Sequence, residues 1–595
     1  MNSYIGYEKY LFHPFLSTLI GIILFFGLFG LGYFLIKFFF KIKLNKYYIF
    51  HSPLIGSNLL ILFLFPLTSF QLLKEFIFFL VSISLLIFSL YLFLNLKNLY
   101  KIFEKDKSLL FIVLLYFFLS LAPITHADSL DYHILSAINI LNNGSFSNEL
   151  LPLHVKAEGA GEILIALGFY FGSEQFGNLV QFGGLLSIIA TFKSIKKKDN
   201  NLFLFSVIST PCFIFFLTSP KPQLMQIANL LFVFSIFYNL KKNQILKVKH
   251  FLISSILLTI NFVSKFSFLF SSFILFIAIF CKSITALNYK KILFISFIVF
   301  IIFIIPDFYF MNQNFNTSFY NYIQSPMPIN LPGYDNLSES IRKITSGSRY
   351  LPFWIVIPKS IGTISTVIGP IFLSFVLFKL NKNYLILTLI MFYFLIVLMF
   401  GQATSRFLFP GFLILQFMLM SFEFRNNLSK EIFVYFVKFQ YIISLFLISF
   451  LVYQLTPGSF TYELRNKVMS KNANGYTLMK WVNSNIDEKK DVILSYHRSL
   501  SLINAISYNA VMLNYIDFTN PKSEKFIQFL KDKKVNKILV LSNEADTKIY
   551  RCRGKLIIQK EKVAKLAGRN PFNTGSFYDV KIYEFDQKKL PECLR

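Results

Sequence analysis

Long apolar runs recur from residue 15 to residue 455, each interrupted by a short stretch rich in Lys, Asn or Gly. Runs of about 17 to 25 apolar residues can cross a bilayer as helices, and connections rich in Lys and Arg mark the cytoplasmic side. The pattern predicts spans at residues 15–36, 54–73, 76–96, 109–124, 176–192, 202–217, 223–238, 251–263, 266–280, 292–305, 361–378, 384–400, 407–422 and 432–455, about fourteen in all. The basic connections KIKLNK, KNLYKIFEKDK, KSIKKK, KKNQILKVKH and CKSITALNYKK then fall inside. Residues 125–175 and 306–352 become outer loops, with the amino terminus and everything after residue 455 also outside. Residues 161–172 are too short and glycine-rich for a crossing and predict a helix lying at, or dipping into, the outer interface.

After residue 455 the pattern changes, with charges throughout and only short apolar runs. YTLMKWVNSN has helical periodicity, PKSEKFIQFLKDK reads as an amphipathic helix, DVILSY and NKILVLS as short buried strands, and VKIYEF alternates as a strand does. This mixture predicts a small α/β domain. The expected fold is an α-helical polytopic membrane protein with a C-terminal extracytoplasmic α/β domain. Its parts are extra N-terminal spans over 1–107, a transmembrane core over 108–455 and the outer domain over 456–595.

A formal charge of +29 raises nucleic acid as a partner. The basic residues sit in short loops between apolar runs, so membrane topology accounts for them and the expected partner is the lipid bilayer, not nucleic acid. Residues 1–17 lack the early basic segment and small-residue cleavage site of a secretory signal, so no cleavage is expected. Cys212 and Cys281 lie at or in apolar runs and read as buried small hydrophobes rather than reactive groups. Cys552 and Cys593 share the outer domain, where an oxidising compartment allows a disulfide.

The candidate chemistry gathers in THADSLDYHILSAINILNNGSFSNELLPLHVKAEGAGE, residues 125–162. Ionisable groups are costly in hydrocarbon, so this cluster belongs in water beside the membrane or in a polar cavity. Asp128 and Asp131, three residues apart at an expected helix start, either cap that helix or supply a general base. His126, His133 and His154, with Glu158 and Glu162, are residue types that bind a divalent metal, although their spacing matches no compact metal signature. Lys156 reads as a phosphate contact or a solvated anchor. Lys221 in TSPKPQ, Lys265 in NFVSKFSF and Arg406 in GQATSRFLFP fall at outer span ends, against the inward bias of the other basic residues. A cation there either snorkels or holds a lipid-linked phosphate, and the guanidinium of Arg406 suits a phosphate better than an ammonium does.

A span followed by ADSLDYHILSAINILNNG, a segment ending ALGFYFGSEQFG and a span with a basic inner end resembles the opening of the GT-C membrane glycosyltransferases. That superfamily includes protein O-mannosyltransferases, the lipid A aminoarabinose transferase and RgtA/B/C/D-like enzymes. NFVSKFS resembles its Thr-Lys segment and TSRFLFP its late Arg-Tyr-x-x-Pro segment. Where many members have adjacent Asp-Glu, this chain has Asp128-Ser129, and His154-Val155-Lys156 stands in place of His-Pro-Pro. The resemblance implies inverting transfer of a sugar from a polyprenyl-phosphate donor to a glycan, lipid or protein acceptor at the outer face of the inner (plasma) membrane. The family's loop acid maps onto Asp128, with Asp131 as the alternative. His133, His154, Lys156 and Glu158 would join Arg406, Lys265 and Lys221 in binding substrate. A polysaccharide polymerase or ligase using the same kind of donor, a non-catalytic transporter and a binding scaffold are the competing expectations. Arg342 and Arg349 in the second outer loop suit the ligase.

Overall fold

The computed structural model describes residues 6–38, 47–95, 106–148, 159–195, 200–238, 248–284, 289–324, 355–358, 360–379, 384–400, 404–544, 547–566 and 576–595. His154, Lys156 and Glu158, and with them Arg342 and Arg349, lie outside the described residues. The chain is a helical bundle carrying a small sheet domain at its C-terminal end. Among the described residues, six helices are long and apolar enough to cross a membrane: Pro14–Phe38, Tyr48–Ser69, Glu75–Asn95, Gln175–Ser194, Lys290–Phe315 and Asn427–Ser459. Shorter apolar helices, including Lys107–Ser120, Ala160–Tyr170, Leu224–Tyr238 and Ser405–Leu419, fill the space among them.

Helix α1 (Gln175–Ser194) is the axis of the bundle, buried from Gln175 to Phe192. It bears Gly177, Gly183 and Gly184, and each lets a neighbour come close: a Cβ on Gly184 would lie 2.9 Å from the backbone of Leu224. By contrast, Glu75–Asn95 turns Phe76, Leu90 and Leu94 outward, and Asn427–Leu455 turns out Phe446 and Tyr453. Apolar surface of this extent on the periphery is a lipid-facing surface, and the protein is membrane-embedded and multi-pass.

Two expected spans are not single α-helices. Residues 202–217 divide into Asn200–Ile208 and Cys212–Leu217, because Pro211 cannot donate to the helix and disfavours helical geometry in the residue before it. Residues 361–378 form two 3-10 segments, Ile361–Thr366 and Pro370–Leu377. Gly369 between them has φ +94° and precedes a proline, a pairing that stops a helix.

Among its described residues the C-terminal domain has five strands: β1 (Val492–Ser495), β2 (Ile506–Asn509), β3 (Lys537–Leu541), β4 (Arg553–Leu566) and β5 (Ser576–Phe585). Their order is β2-β1-β3-β5-β4. β1 is parallel to β2 and β3, with Ile493 opposite Ser507 and Lys537, while β5 runs antiparallel to β3 and β4. Alternation divides the sheet between two cores. Ile493, Leu539, Leu541, Val580 and Ile582 join the core continuous with the bundle, whereas Leu494, Ile538 and Val540 pack with Phe526 and Leu530 of the amphipathic helix Glu524–Asp532. Cys552 and Cys593 form a disulfide beside this second core, their Cα atoms 5.0 Å apart.

Arg465 fastens the domain to the bundle. Its Nε donates to Glu174 Oε1 at 3.0 Å, its Nη2 to Glu174 Oε2 at 3.2 Å and to the Tyr7 hydroxyl at 2.9 Å, and its Nη1 to Glu8 at 2.5 Å. Arg465, Glu174 and Tyr7 are all buried. Such a group is tolerated away from water only with its hydrogen bonds made.

Candidate functional site

The segment after Lys107–Ser120 makes a wide turn over Ser129–His133, kinked at Asp131 (φ −94°, ψ −106°), before continuing as the helix Ile134–Asn143. Asp128 stands at the start of this turn but makes no side-chain capping bond. Its carboxylate is held from two sides: Lys221 Nζ donates to Oδ2 at 2.8 Å and Arg498 Nη1 to Oδ1 at 2.5 Å. Asp128 and Lys221 are only 3% and 2% exposed, whereas Arg498, from the C-terminal domain, keeps about a third of its side chain in solvent.

The local sequence fixes Lys221 rigidly. In TSPKPQ the flanking prolines lie against two glycines: a Cβ on Gly177 would meet Pro220 at 2.6 Å, and one on Gly161 would meet Pro222 at 2.1 Å. The N–H groups of Gln223, Leu224 and Met225, which open the next helix, donate to Gln181 Oε1 of α1 at 3.2, 2.9 and 3.2 Å. A helix start has orphan donors, and one amide oxygen from the axial helix satisfies three of them. Ser219 is hydrogen-bonded to Ser129 at 2.8 Å, which pins the strap to the turn.

The ring of Phe215 collects further charge. Lys221 Nζ lies 5.1 Å and Arg406 Cζ 5.8 Å from its centroid, and the His126 ring meets it edge-on at 5.0 Å. A cation over an aromatic face is attracted by the ring quadrupole. Arg406, second residue of the helix Ser405–Leu419, therefore sits at the same end of the bundle as Asp128. His133 Nδ1 and Glu162 Oε1 are 2.5 Å apart, and Glu162 Oε2 accepts the Gly159 N–H at 2.8 Å, closing the start of Ala160–Tyr170. Gly159 lies so close to the end of Val248–Ser264 that a Cβ would fall 2.2 Å from the Val263 carbonyl oxygen. Lys265 follows directly, within electrostatic reach of Glu162.

Asp131 is different from Asp128. It is 3% exposed, and among the described residues no hydrogen bond or ion pair reaches its carboxylate. Burial pushes its pKa up to about 7, with Arg498 opposing the rise and Asp128 adding to it. The Tyr132 hydroxyl is raised above the usual phenol range by burial first, and it feels Asp128, Arg406, Glu162 and Arg498. The turn is thus the meeting point of these groups.

The structure brings together Asp128, Asp131, His133, Lys221, Lys265 and Arg406 from four separate stretches of chain. Within the set His133 is engaged by Glu162 and Lys221 by Asp128. Among the described residues no three His, Cys, Asp or Glu side chains converge as a metal-binding group. Arg498, Tyr132 and Phe215 carry no sequence signal: Arg498 is one basic residue among many in the C-terminal domain, 370 positions from its partner.

No curated protein matches the chain. Residues 85–469 match the DUF1420 N-terminal domain and residues 470–595 the DUF1420 C-terminal domain. The first match begins within the third long apolar helix, Glu75–Asn95, and takes in the whole acid and cation cluster except Arg498, which the second supplies. With the two matches running together from residue 85 to the last residue, the chain belongs to the DUF1420 family.

Proposed function

We propose that this protein is a membrane glycosyltransferase of GT-C type, moving a sugar from a polyprenyl-phosphate donor to an extracytoplasmic glycan, lipid or protein acceptor at the outer face of the inner membrane. The observation that carries this reading is the convergence of Asp128 and Asp131 with Lys221, Lys265 and Arg406 at one end of an apolar bundle. A lipid-linked donor needs an apolar path for its tail and cations where its phosphate departs; an acceptor hydroxyl needs a base within reach. The disulfide and the basic connections at the other span ends support an outer placement of the site. So does the likeness of NFVSKFS and TSRFLFP to the GT-C segments.

In this reading Asp131, not Asp128, takes the proton. Asp128 is neutralised by Lys221 and Arg498, which makes it a weak base and a firm anchor. Asp131, with a pKa near neutrality, matches what general-base catalysis requires at physiological pH. As the acceptor O–H bond breaks toward Asp131, the oxygen forms its bond to the anomeric carbon from the face opposite the phosphate. The bond from that carbon to the phosphate oxygen breaks, and the lipid phosphate leaves with the electron pair, its charge held by Arg406 and Lys265. The configuration at the anomeric carbon inverts.

The test is transfer of labelled sugar from polyprenyl-phosphate donors by the reconstituted full-length protein. Asp131→Asn is expected to lower kcat by roughly 100-fold or more, and Arg406→Gln to weaken donor use. Equal turnover by wild type and Asp131→Asn would remove Asp131 from the mechanism. Absence of transfer from any polyprenyl-phosphate sugar would remove the reading itself.

A further inference from the structure

The C-terminal domain touches the candidate site at three places. Asn474 N–H donates to the Thr125 carbonyl at 3.2 Å, Arg498 binds the Asp128 carboxylate, and Ser501 Oγ donates to the Leu130 carbonyl at 2.5 Å. All three fall within six residues of one turn. The loop that carries Arg498 and Ser501 leaves the carboxyl end of β1, where the chain passes to β2 on one side while β3 pairs on the other. In open α/β sheets that position is where ligands are usually met; here it meets the bundle.

The loop is shaped to present one side chain. Ser499 has a left-handed backbone (φ +79°), a conformation costly for a residue with a Cβ and kept only where surroundings impose it. Asn474 imposes it, donating from Nδ2 to Ser499 Oγ at 2.9 Å while its own N–H binds Thr125. On one side of the turn His497 is buried against Gly475, where a Cβ would lie 2.2 Å from the ring. On the other side Arg498 reaches out to Asp128. Lys221 grips the same carboxylate from inside the bundle and is buried, whereas Arg498 is the partly solvated member of the trio.

We infer that Arg498 is a positioning residue of the site, supplied by the C-terminal domain. It holds Asp128 from the aqueous side while Lys221 holds it from the membrane side, so that the 125–133 turn takes its working form only with the domain docked. The inference rests on the reading of this cluster as the reacting site, and it assigns the C-terminal domain a share in that site.

Deuterium uptake by the full-length protein in lipid nanodiscs, followed on peptides spanning 125–133, needs no substrate and tests the inference separately from the transferase reading. Arg498→Gln is expected to speed uptake there tenfold or more while leaving the axial helix unchanged. Arg498→Lys, which keeps the charge, should recover part of the protection. Asp128→Asn combined with Arg498→Gln should be no faster than Asp128→Asn alone, because the carboxylate that Arg498 grips is already gone. Where transfer is measurable, Arg498→Gln should lower kcat with KM for the donor little changed. Wild-type uptake in Arg498→Gln, or faster uptake spread evenly over the whole chain, would overturn the inference. Lack of transfer by wild type alongside the local change in uptake would overturn the proposed reaction and leave the positioning role standing.

Discussion

Replacing Asp131 by Asn separates a buried, protonated acid from an ordinary one through the pH dependence of stability. An unfolded Asp loses its proton near pH 3.8, whereas in the folded protein burial delays that loss to about 7. Between those values the folded state binds a proton that the unfolded state has already released. Stability therefore falls as pH rises from about 4 to about 7 and is flat above, when both states are ionised. Three pKa units at 1.36 kcal/mol each make the cost about 4 kcal/mol. Asn does not ionise, so Asp131→Asn should stabilise the protein at pH 8, relative to its effect at pH 4, by about 4 kcal/mol. An unfolding entropy of roughly 2 cal/mol/K per residue converts this to a relative rise of roughly 3 °C in Tm. Calorimetry of both proteins in nanodiscs across this pH range measures it. The charged groups acting on Asp131 are Arg498 and Asp128, so Arg498→Gln should carry the wild-type fall in stability on to higher pH. A Tm difference between Asp131→Asn and wild type that is the same at pH 4 and pH 8 would refute the assignment of a raised pKa, and with it the choice of Asp131 over Asp128 as base.

Further outcomes follow from the same geometry. In transfer assays kcat/KM should rise with pH through about 7 as Asp131 loses its proton, and a profile flat from pH 5 to 9 would contradict its role. Arg465→Met strands the buried Glu174 and should destabilise docking of the C-terminal domain by roughly 3–5 kcal/mol; adding Glu174→Gln should return part of that, as read by protease sensitivity of the domain. Cys552→Ser with Cys593→Ser opens a loop of 41 positions and should cost the domain about 4 kcal/mol by chain entropy, visible as a lower denaturation midpoint. Gly159→Ala, driving a Cβ into the Val263 carbonyl, should separate Lys265 from Glu162 and weaken donor use more than it changes Tm.

Much of the site was legible because charge is conspicuous in an apolar chain. Asp128, Asp131 and His133 stood out between spans, and Lys221, Lys265 and Arg406 stood out by lying at the wrong span ends for topology. Their division of labour was not legible. That Asp128 is gripped by a second cation besides Lys221 depends on Arg498, and nothing near Arg498 in sequence distinguishes it from its basic neighbours. In the fold, periodicity found β1, β3, β5 and the helices Tyr476–Asn483 and Glu524–Asp532. It missed β2, whose four residues ISYN give too short an alternation, and β4, whose RGKLIIQKEKVAKL is dense in charge and pairs with β5 through register shifts. Residues 361–378 failed as an α-helix for a reason hydropathy does not register: Gly369 and Pro370 set backbone geometry, not apolarity.

The tie between Glu174 and Arg465 has a bearing on how the chain is made. The two are separated by 291 positions, and at about 5–20 residues per second the ribosome delivers the arginine roughly 15–60 s after the glutamate. Throughout that interval the carboxylate belongs to a half-built bundle without its counter-ion, and an uncompensated charge cannot be packed away cheaply. Glu174 must wait at the water surface, so a segment synthesised well after the helix Gln175–Ser194 is the one that lets that end of the bundle settle.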